Sequence, residues 1–178
     1  MDNPNPEIEK SILKTSPTWR TARLAIFTAL SAVGSVIKIP SPIGSLAFDS
    51  APGFFVALFF GPFEGGLVCG LGHIATAAVS GFPLGILHLP IAVGMALAGF
   101  AIALLNRFNK KWAFLPALAV GVIINTILVF PLLPWLSADI NIGWMIAIGY
   151  TPFLLTAAIL NAIIAGLIYV SIKGKLRP

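Results

Sequence analysis

Charged residues are scarce in this sequence. Lys, Arg, Asp and Glu together make up 10% of its 178 residues, whereas a soluble globular domain carries about 25%. Hydrophobic residues make up 58%, which excludes a soluble domain and predicts a membrane protein. Because a membrane-spanning helix needs roughly 20 apolar residues, the chain has room for about six spans with short loops and for no second domain.

Cysteine and histidine are almost absent. Cys69 is the one cysteine, so an internal disulfide and Cys-x-x-Cys metal or redox motifs are excluded. We interpret Cys69 as a small buried helix residue. The sequence also lacks a GxxxxGK[ST] nucleotide-binding loop and an HExxH zinc motif. We therefore assign no catalytic residue, no metal site and no cofactor.

The basic residues are unevenly distributed. Of the 11 Lys and Arg residues, all but Lys38 fall in three short groups. The three basic groups are Lys10, Lys14, Arg20 and Arg23; Arg107, Lys110 and Lys111; and Lys173, Lys175 and Arg177. Lys and Arg accumulate on the cytoplasmic side of membrane proteins. We therefore predict that all three groups and both termini are cytoplasmic, and that the net charge of +5 does not indicate nucleic-acid binding.

The apolar stretch 46–79 decides the number of spans. As one helix it would be about 51 Å long, far more than a bilayer core of roughly 30 Å requires. A single helix would also put the first two basic groups on opposite sides, whereas a hairpin broken at Gly61-Pro62 keeps them together. The sequence therefore predicts an all-α bundle of six transmembrane helices. The predicted parts are a polar cytoplasmic tail at 1–19, one transmembrane domain at 20–178, an irregular loop at Ile39–Ser45, and spans at about 21–38, 46–61, 63–79, 87–105, 112–133 and 144–172.

The first span carries two different faces. Small residues line one of them, namely Ala22, Ala25, Ala29 and Ala32. Polar residues at the same spacing line the other, namely Thr28, Ser31, Ser35 and Lys38. Because small residues let helices approach closely in lipid, the alanine face either packs inside the bundle or docks a partner's helix. We expect the polar face to point into the bundle.

Four ionisable side chains lie in or beside the spans, where uncompensated charge is costly. Asp49 either caps the second helix or contacts a ligand. Glu64 lies in the first turn of the third span and complements its dipole. His73 is either a hydrogen-bonded core residue or a ligand contact. His88 either closes over a ligand or lies in the membrane interface.

Two amides and one cation complete the polar candidates. Hydrogen bonding between helices is the default role for Asn125 and Asn161, and Asn125 is the better ligand candidate because it is nearer the outer side. Lys38 is the one basic residue expected there. It pairs with Asp49 as an ion pair or lid, anchors an anionic ligand, or is a solvated helix end.

Taken together, these features resemble the substrate-binding S components of energy-coupling factor (ECF) vitamin transporters over about residues 20–172. The resemblance rests on six short-looped helices, on Ala25-xxx-Ala29, and on an irregular outer loop before a short second helix. The segments 47–53 (AFDSAPG), 61–65 (GPFEG) and 81–84 (GFPL) are similar to a subgroup linked to salvage of α-ribazole, a cobalamin building block.

This resemblance implies a function. Such a protein captures a vitamin or vitamin precursor in an outward-facing pocket, then docks on a membrane scaffold subunit that carries two ATP-binding subunits. That division of labour would explain the missing nucleotide motif. The resemblance also implies a multi-pass protein of the bacterial cytoplasmic membrane, docking through Ala25, Ala29 and Ala32, and no nucleic-acid partner. Residues 1–20 contain no histidine, which argues against the nickel and cobalt members.

The best prediction for the ligand is nucleoside-like, with hydroxyls for polar side chains and a flat base for aromatic rings. The predicted substrate-binding residues are Asp49, Lys38, Phe48, His73, Phe82, His88, Asn125, Trp144 and Tyr150. Riboflavin, thiamine, pantothenate and a pyridoxine-like vitamin are alternatives. So are two other protein classes: a small intramembrane enzyme using His73, His88 and Asp49, and an assembly subunit without a ligand.

Overall fold

The computed structural model is a bundle of helices with one short β-ribbon. It describes residues 16–41, 44–108, 112–127, 134 and 139–176. Among these residues the α-helices are α1 Pro17–Gly34, α2 Ala51–Phe60, α3 Pro62–Val79, α4 His88–Asn106, α5 Phe114–Ile127 and α6 Ile140–Leu176. The strands are β1 Lys38–Ser41 and β2 Gly44–Ala47, and a 3-10 turn, Gly85–Leu87, precedes α4. The predicted helical bundle is confirmed. Most of the predicted tail and the end of the predicted fifth span, at 128–133, lie outside the described residues.

The predicted hairpin within 46–79 is also confirmed. α2 ends at Phe60 and α3 begins at Pro62. Gly61 separates them with φ 106°, a conformation that favours glycine because it has no Cβ to clash. Pro62 occupies the first position of α3, where its missing N–H would have had no partner in the helix. These two residues end one helix and start the next.

The loop after α1 differs from the prediction. Residues 38–41 and 44–47 form an antiparallel ribbon in which Lys38 lies opposite Ala47, whereas an irregular loop was expected. Two prolines in this segment favoured a loop, but a two-stranded ribbon consists entirely of edges, where a proline is tolerated. Pro40 pairs with Ser45 in the register of the ribbon.

The ribbon shortens the helices on both sides of it. α1 ends at Gly34 and α2 starts at Ala51, so the predicted boundaries near 38 and 46 are wrong. Lys38 is the first residue of β1. It is therefore not a helix end, and the interpretation of Lys38 as the last residue of a helical polar face is wrong. The side-chain roles predicted for Lys38 lie outside the described part of the structure.

The two faces of α1 point in different directions. Ser31 and Ser35 are buried, each 1% exposed, and each hydroxyl donates to a backbone carbonyl of its own helix. Ala25 and Ala29 are exposed. The inward polar face is thus confirmed, and the interpretation that the alanine face packs inside the bundle is wrong for these two residues.

Small residues allow α2, α3 and α4 to meet closely around Cys69. The thiol is buried, as predicted. A Cβ atom on Gly53 of α2 would lie 2.6 Å from the Cys69 sulfur, and one on Gly99 of α4 would lie 2.7 Å from it. Both glycines are therefore required for this approach, since real Cβ atoms do not come so close to a sulfur. This junction holds the two helices that begin near Asp49 and His88.

An ion-pair network closes one end of the bundle. Both Glu64 carboxylate oxygens accept hydrogen bonds from the Arg23 guanidinium, at 2.8 and 3.0 Å. Arg20 lies 3.3 Å from the same carboxylate. Glu64 occupies the first turn of α3, as the dipole interpretation predicted, and it is only 7% exposed. The sequence analysis treated Glu64 and the first basic group separately and missed this pairing.

The second and third basic groups lie at the same end. A Cβ atom on Gly61 would lie 3.8 Å from Nη2 of Arg107. The amide of Asn106 donates to the hydroxyl of Tyr169 at 3.2 Å, and Nζ of Lys173 lies over the Tyr169 ring at 5.1 Å from its centroid. Described members of all three groups therefore lie at one end, as the hairpin prediction required.

Two helical segments are long and apolar enough to cross a membrane, Gly85–Asn106 and Ile140–Lys173, within the described ranges. α2 and α5 are apolar but shorter. By length and composition, these two segments are consistent with the predicted fourth and sixth spans.

Candidate functional site

Asp49 lies directly before α2, and Glu64 lies beyond the other end of that helix. The end of α1 packs against the backbone on which Asp49 sits, because a Cβ atom on Gly34 would overlap the carbonyl oxygen of Phe48. Asp49 is therefore placed by a backbone contact between α1 and the segment that follows β2.

The start of α2 is capped by a side chain from a distant helix. Oδ1 of Asn161 on α6 accepts hydrogen bonds from the backbone amides of Ser50, at 3.1 Å, and Ala51, at 2.8 Å. Asn161 is 1% exposed, and its Nδ2 donates to a carbonyl of its own helix. At Ala51, the first residue of α2, Asn161 therefore takes the capping role that was suggested for Asp49, whereas the backbone amide of Ser50 lies beside both side chains. The interhelical role expected for Asn161 is confirmed.

The Asp49 carboxylate has polar neighbours that are not backbone amides of α2. Its Oδ1 accepts a hydrogen bond from the Ser50 hydroxyl at 3.0 Å. The Thr76 hydroxyl on α3 lies beside the same carboxyl group, although its distance and angles do not make it a hydrogen-bond partner. Oγ1 of Thr76 is buried and has no partner among the described residues. The carboxyl group thus lies among hydroxyl and backbone N–H groups directly before α2.

The two histidines of the chain contact each other. Nε2 of His73 on α3 lies 3.1 Å from Nδ1 of His88 at the start of α4. The backbone N–H of Leu84 donates to Nε2 of His88 at 3.3 Å. His88 is 6% exposed, so the interpretation that it simply lies in the membrane interface is wrong.

The turn before α4 brings an aromatic ring to this pair. The Phe82 ring lies edge-on to His88, with centroids 5.7 Å apart. Phe82 has φ 50°, which is uncommon for a bulky residue and marks a constrained turn. Its amide donates to the carbonyl of Ala77 at 2.8 Å, which closes the end of α3. The segment 80–87 is therefore fixed at both ends, by α3 and by His88.

His73 and Thr76 join the two halves of the site. They lie three residues apart on α3, so their side chains are neighbours on one face. We call Asp49, Ser50, His73, Thr76 and His88 the polar cluster. It unites the start of α2, the second half of α3 and the start of α4 in the half of the bundle away from the basic groups.

The remaining predicted residues are distributed over other elements. Phe48 is half-buried next to Asp49 in the chain. Asn125 is half-buried on α5, and the first half of α6 carries Trp144, which is exposed, and Tyr150, which is half-buried. The structure therefore brings His73, His88 and Phe82 into contact and places Asp49 beside Thr76 of the same helix, α3; the other predicted residues lie on separate elements.

Sequence reasoning missed Ser50, Thr76 and Asn161 as parts of the site. Thr76 follows His73 by three residues, and that helical spacing was the available signal. Asn161 lies 110 residues from Ala51, and no local pattern links such distant positions. Its burial within an apolar helix was the one sign that it needed a partner.

The donor set suits an organic molecule more than a metal ion. Within the ranges that the structure describes, no group of three His, Cys, Asp or Glu side chains is arranged to hold a metal. The polar cluster offers a carboxylate acceptor, hydroxyls and imidazole nitrogens, bordered by aromatic rings. Such a mixture of a few polar groups with apolar surroundings is typical of small-molecule sites.

Comparisons with known proteins give a family and a fold. The family model described as "ECF transporter, substrate-specific component" matches residues 20–172. The solved structure of the S component of a bacterial ECF transporter is similar, with a TM-score of 0.67 and 20% sequence identity over 92% of this chain and 100% of that one. No curated protein sequence matches this chain.

Proposed function

Because the chain belongs to the family of substrate-specific components of ECF transporters, we propose that it captures a vitamin precursor at the polar cluster and delivers it across a bacterial membrane. Members of this family are integral membrane proteins that bind a transported substrate and are not enzymes. They work with a scaffold subunit and ATPase subunits. The alternatives of an intramembrane enzyme and of a ligand-free assembly subunit are therefore abandoned.

The proposed topology has six membrane spans with both termini in the cytoplasm. The end of the bundle with Arg23, Arg107 and Lys173 is cytoplasmic, because basic residues are retained on that side. The polar cluster then faces outward. In intact cells, a membrane-impermeant maleimide should label a cysteine at exposed Ile86 but not one at exposed Arg107. Buried Cys69 gives no background, and the reverse labelling would overturn this topology.

One observation supports substrate binding at the polar cluster more than any other. Asn161 caps Ala51, the first residue of α2, so the Asp49 carboxylate is not needed there. A carboxylate at this depth is costly unless it has partners. A ligand with hydroxyl donors would satisfy it, and Ser50 holds the carboxylate in position for that contact.

The best candidate ligand is α-ribazole. It combines ribose hydroxyls, which suit Asp49, with a flat aromatic base, which suits Phe48 or Phe82. Asn125, Trp144 and Tyr150 are further contacts in this proposal. Lys38 belongs to the proposed site as a lid residue; a neutral ligand predicts that Lys38→Ala preserves affinity while Asp49→Ala removes it.

Calorimetry on the purified protein tests this assignment. Asp49→Ala should weaken α-ribazole binding at least about tenfold, since a hydrogen bond to a charged group is worth about 1.5–3 kcal/mol. Asp139→Asn, at an exposed residue before α6, is the matched control and should bind normally. Unchanged affinity in Asp49→Ala would contradict the site. Binding of riboflavin, thiamine, pantothenate or a pyridoxine-like vitamin in place of α-ribazole would redirect the ligand assignment.

The exposed alanine face of α1 is the proposed docking surface for the scaffold. Ala25 and Ala29 are exposed and Ala32 is half-buried, and small residues permit close helix contact in lipid. Ala29→Trp should prevent copurification with the scaffold and leave ligand affinity unchanged. Ile163→Trp, at an exposed position on α6, is the control. Normal assembly of Ala29→Trp would move the docking surface elsewhere.

A further inference from the structure

The hydrogen bonds of the two histidines determine where their protons lie. A backbone N–H can only donate, so Nε2 of His88 accepts from Leu84 and carries no proton. A neutral imidazole has one proton. That proton is therefore on Nδ1 of His88, and it points at Nε2 of His73, 3.1 Å away.

The same reasoning continues to the second ring. Nε2 of His73 accepts a hydrogen bond from Nδ1–H of His88 and therefore carries no proton. The proton of a neutral His73 is consequently on Nδ1. Within the described residues, that nitrogen has no hydrogen-bond partner; the hydrogen bond of His73 is the one through Nε2. His73 is half-buried. It therefore presents an unused N–H donor on the side away from His88.

The position of this donor relates it to Asp49. Thr76 lies one helical turn from His73 and beside the Asp49 carboxyl group, and its buried hydroxyl also lacks a partner among the described residues. Buried polar groups without partners are costly. A molecule in the polar cluster would thus meet a donor at His73. One turn further along α3, beside Thr76, it would meet an acceptor at Asp49.

We propose that His88 is a positioning residue, which holds His73 in the Nδ1–H form and so selects ligands that present a hydrogen-bond acceptor to it. The inference rests on the proposed function for its ligand, but the tautomers exist without one. Hydroxyl, carbonyl and pyridine-type ring nitrogen atoms satisfy His73. An ammonium group at that position is rejected, since His73 offers it only a proton.

Nitrogen-15 NMR of the ligand-free protein, labelled at histidine, tests the proposal directly. The sequence contains 2 histidines, so two rings give two sets of signals, assigned with His73→Phe and His88→Phe. Near neutral pH we expect both rings to be neutral with the proton on Nδ1. An Nε2–H form or an imidazolium at either ring would overturn the proposal.

The variants separate positioning from folding. In His88→Phe, His73 should lose its Nδ1–H preference and shift toward the Nε2–H form. In His73→Phe, His88 should stay Nδ1–H because Leu84 still donates to it. Phe82→Leu removes a ring contact but no side-chain hydrogen bond, so both tautomers should persist. An unchanged His73 tautomer in His88→Phe would refute the positioning role. If that variant fails to fold, the spectra of the unaltered protein and of Phe82→Leu still decide whether His73 is in the Nδ1–H form that the proposal requires.

Ligand binding gives an independent arm with α-ribazole as the probe. His88→Phe should weaken its binding about three- to tenfold, the worth of one neutral hydrogen bond, and α-ribazole should shift the His73 Nδ1 resonance of the unaltered protein. Binding without such a shift would contradict the contact with His73. If α-ribazole does not bind at all, the ligand assignment falls, whereas the ligand-free spectra still decide the tautomers.

Discussion

Substitution of Asn161 by alanine should destabilise the protein strongly. The Asn161 amide oxygen accepts from two backbone amides, those of Ser50 at 3.1 Å and Ala51 at 2.8 Å. Each buried amide left without a partner costs about 1–3 kcal/mol. The free energy of unfolding should therefore fall by about 2–6 kcal/mol, with the lower end applying if a water molecule enters and bridges the two amides.

Thermal unfolding in detergent, followed with a thiol-reactive fluorophore, measures this effect. Cys69 is 3% exposed and becomes reactive only when the helices separate. A loss of 2 kcal/mol corresponds to a fall in Tm of roughly 4–8 °C for a chain of this size. Thr156→Ala is the matched control, since it removes an exposed hydrogen bond from the same helix. Equal Tm values for Asn161→Ala and Thr156→Ala would refute the capping argument.

Three further outcomes are measured as melting curves, the first two with the same thiol assay. Glu64→Gln should lower the free energy of unfolding by about 3 kcal/mol, because it leaves arginines at a buried site without their counter-charge. The control Asp139→Asn, at an exposed site, should change it by less than about 0.5 kcal/mol. Similar losses of stability in the two variants would contradict a structural ion pair. Gly34→Ala should lower Tm, because the new Cβ atom overlaps the Phe48 carbonyl oxygen. In the control Gly149→Ala the new Cβ atom meets nothing within 4 Å, so stability should rise by about 0.5–1 kcal/mol. A stabilised Gly34→Ala would exclude the close approach of α1 to Phe48. Cys69→Val should destabilise the protein by about 1–3 kcal/mol through overpacking against α2 and α4. Cys69→Ser is the thiol-free control, and both variants are melted by circular dichroism. Equal Tm values for the two would mean that the helices do not pack closely around residue 69.

The helical pattern of the chain was predictable because it depends on local signals and on charge. Gly61-Pro62 marked the break between α2 and α3. The basic groups favoured two helices over one at 46–79, because only two keep the first and second basic groups on the same side of the membrane. The ribbon at 38–41 and 44–47 was missed because its prolines signal a loop, and strand pairing depends on two segments folding back together. Helix ends were consequently misplaced by several residues on both sides of it.

The site was only partly predictable. Asp49 and His73 were selected because polar groups are costly within apolar spans, an argument that needs no partner. The contact between His73 and His88 depends on how the turn at 80–87 folds, which the sequence leaves open. Asn161 acts across 110 residues. Its hydrogen bond to the start of α2 depends on how α6 packs, which no local pattern predicts.

The length of α2 has a consequence for transport. Its 10 residues rise about 15 Å, half of a hydrocarbon core of roughly 30 Å. In the proposed orientation α2 ends with Phe60 at the cytoplasmic surface, so its first residue, Ala51, and the preceding Asp49 lie near the bilayer midplane. Non-helical backbone at that depth must be shielded by protein or line water, and residues 35–41 and 44–50 would form part of the wall of a funnel that is open to the outside. A captured molecule would thus have crossed half the membrane by diffusion, before any ATP is hydrolysed.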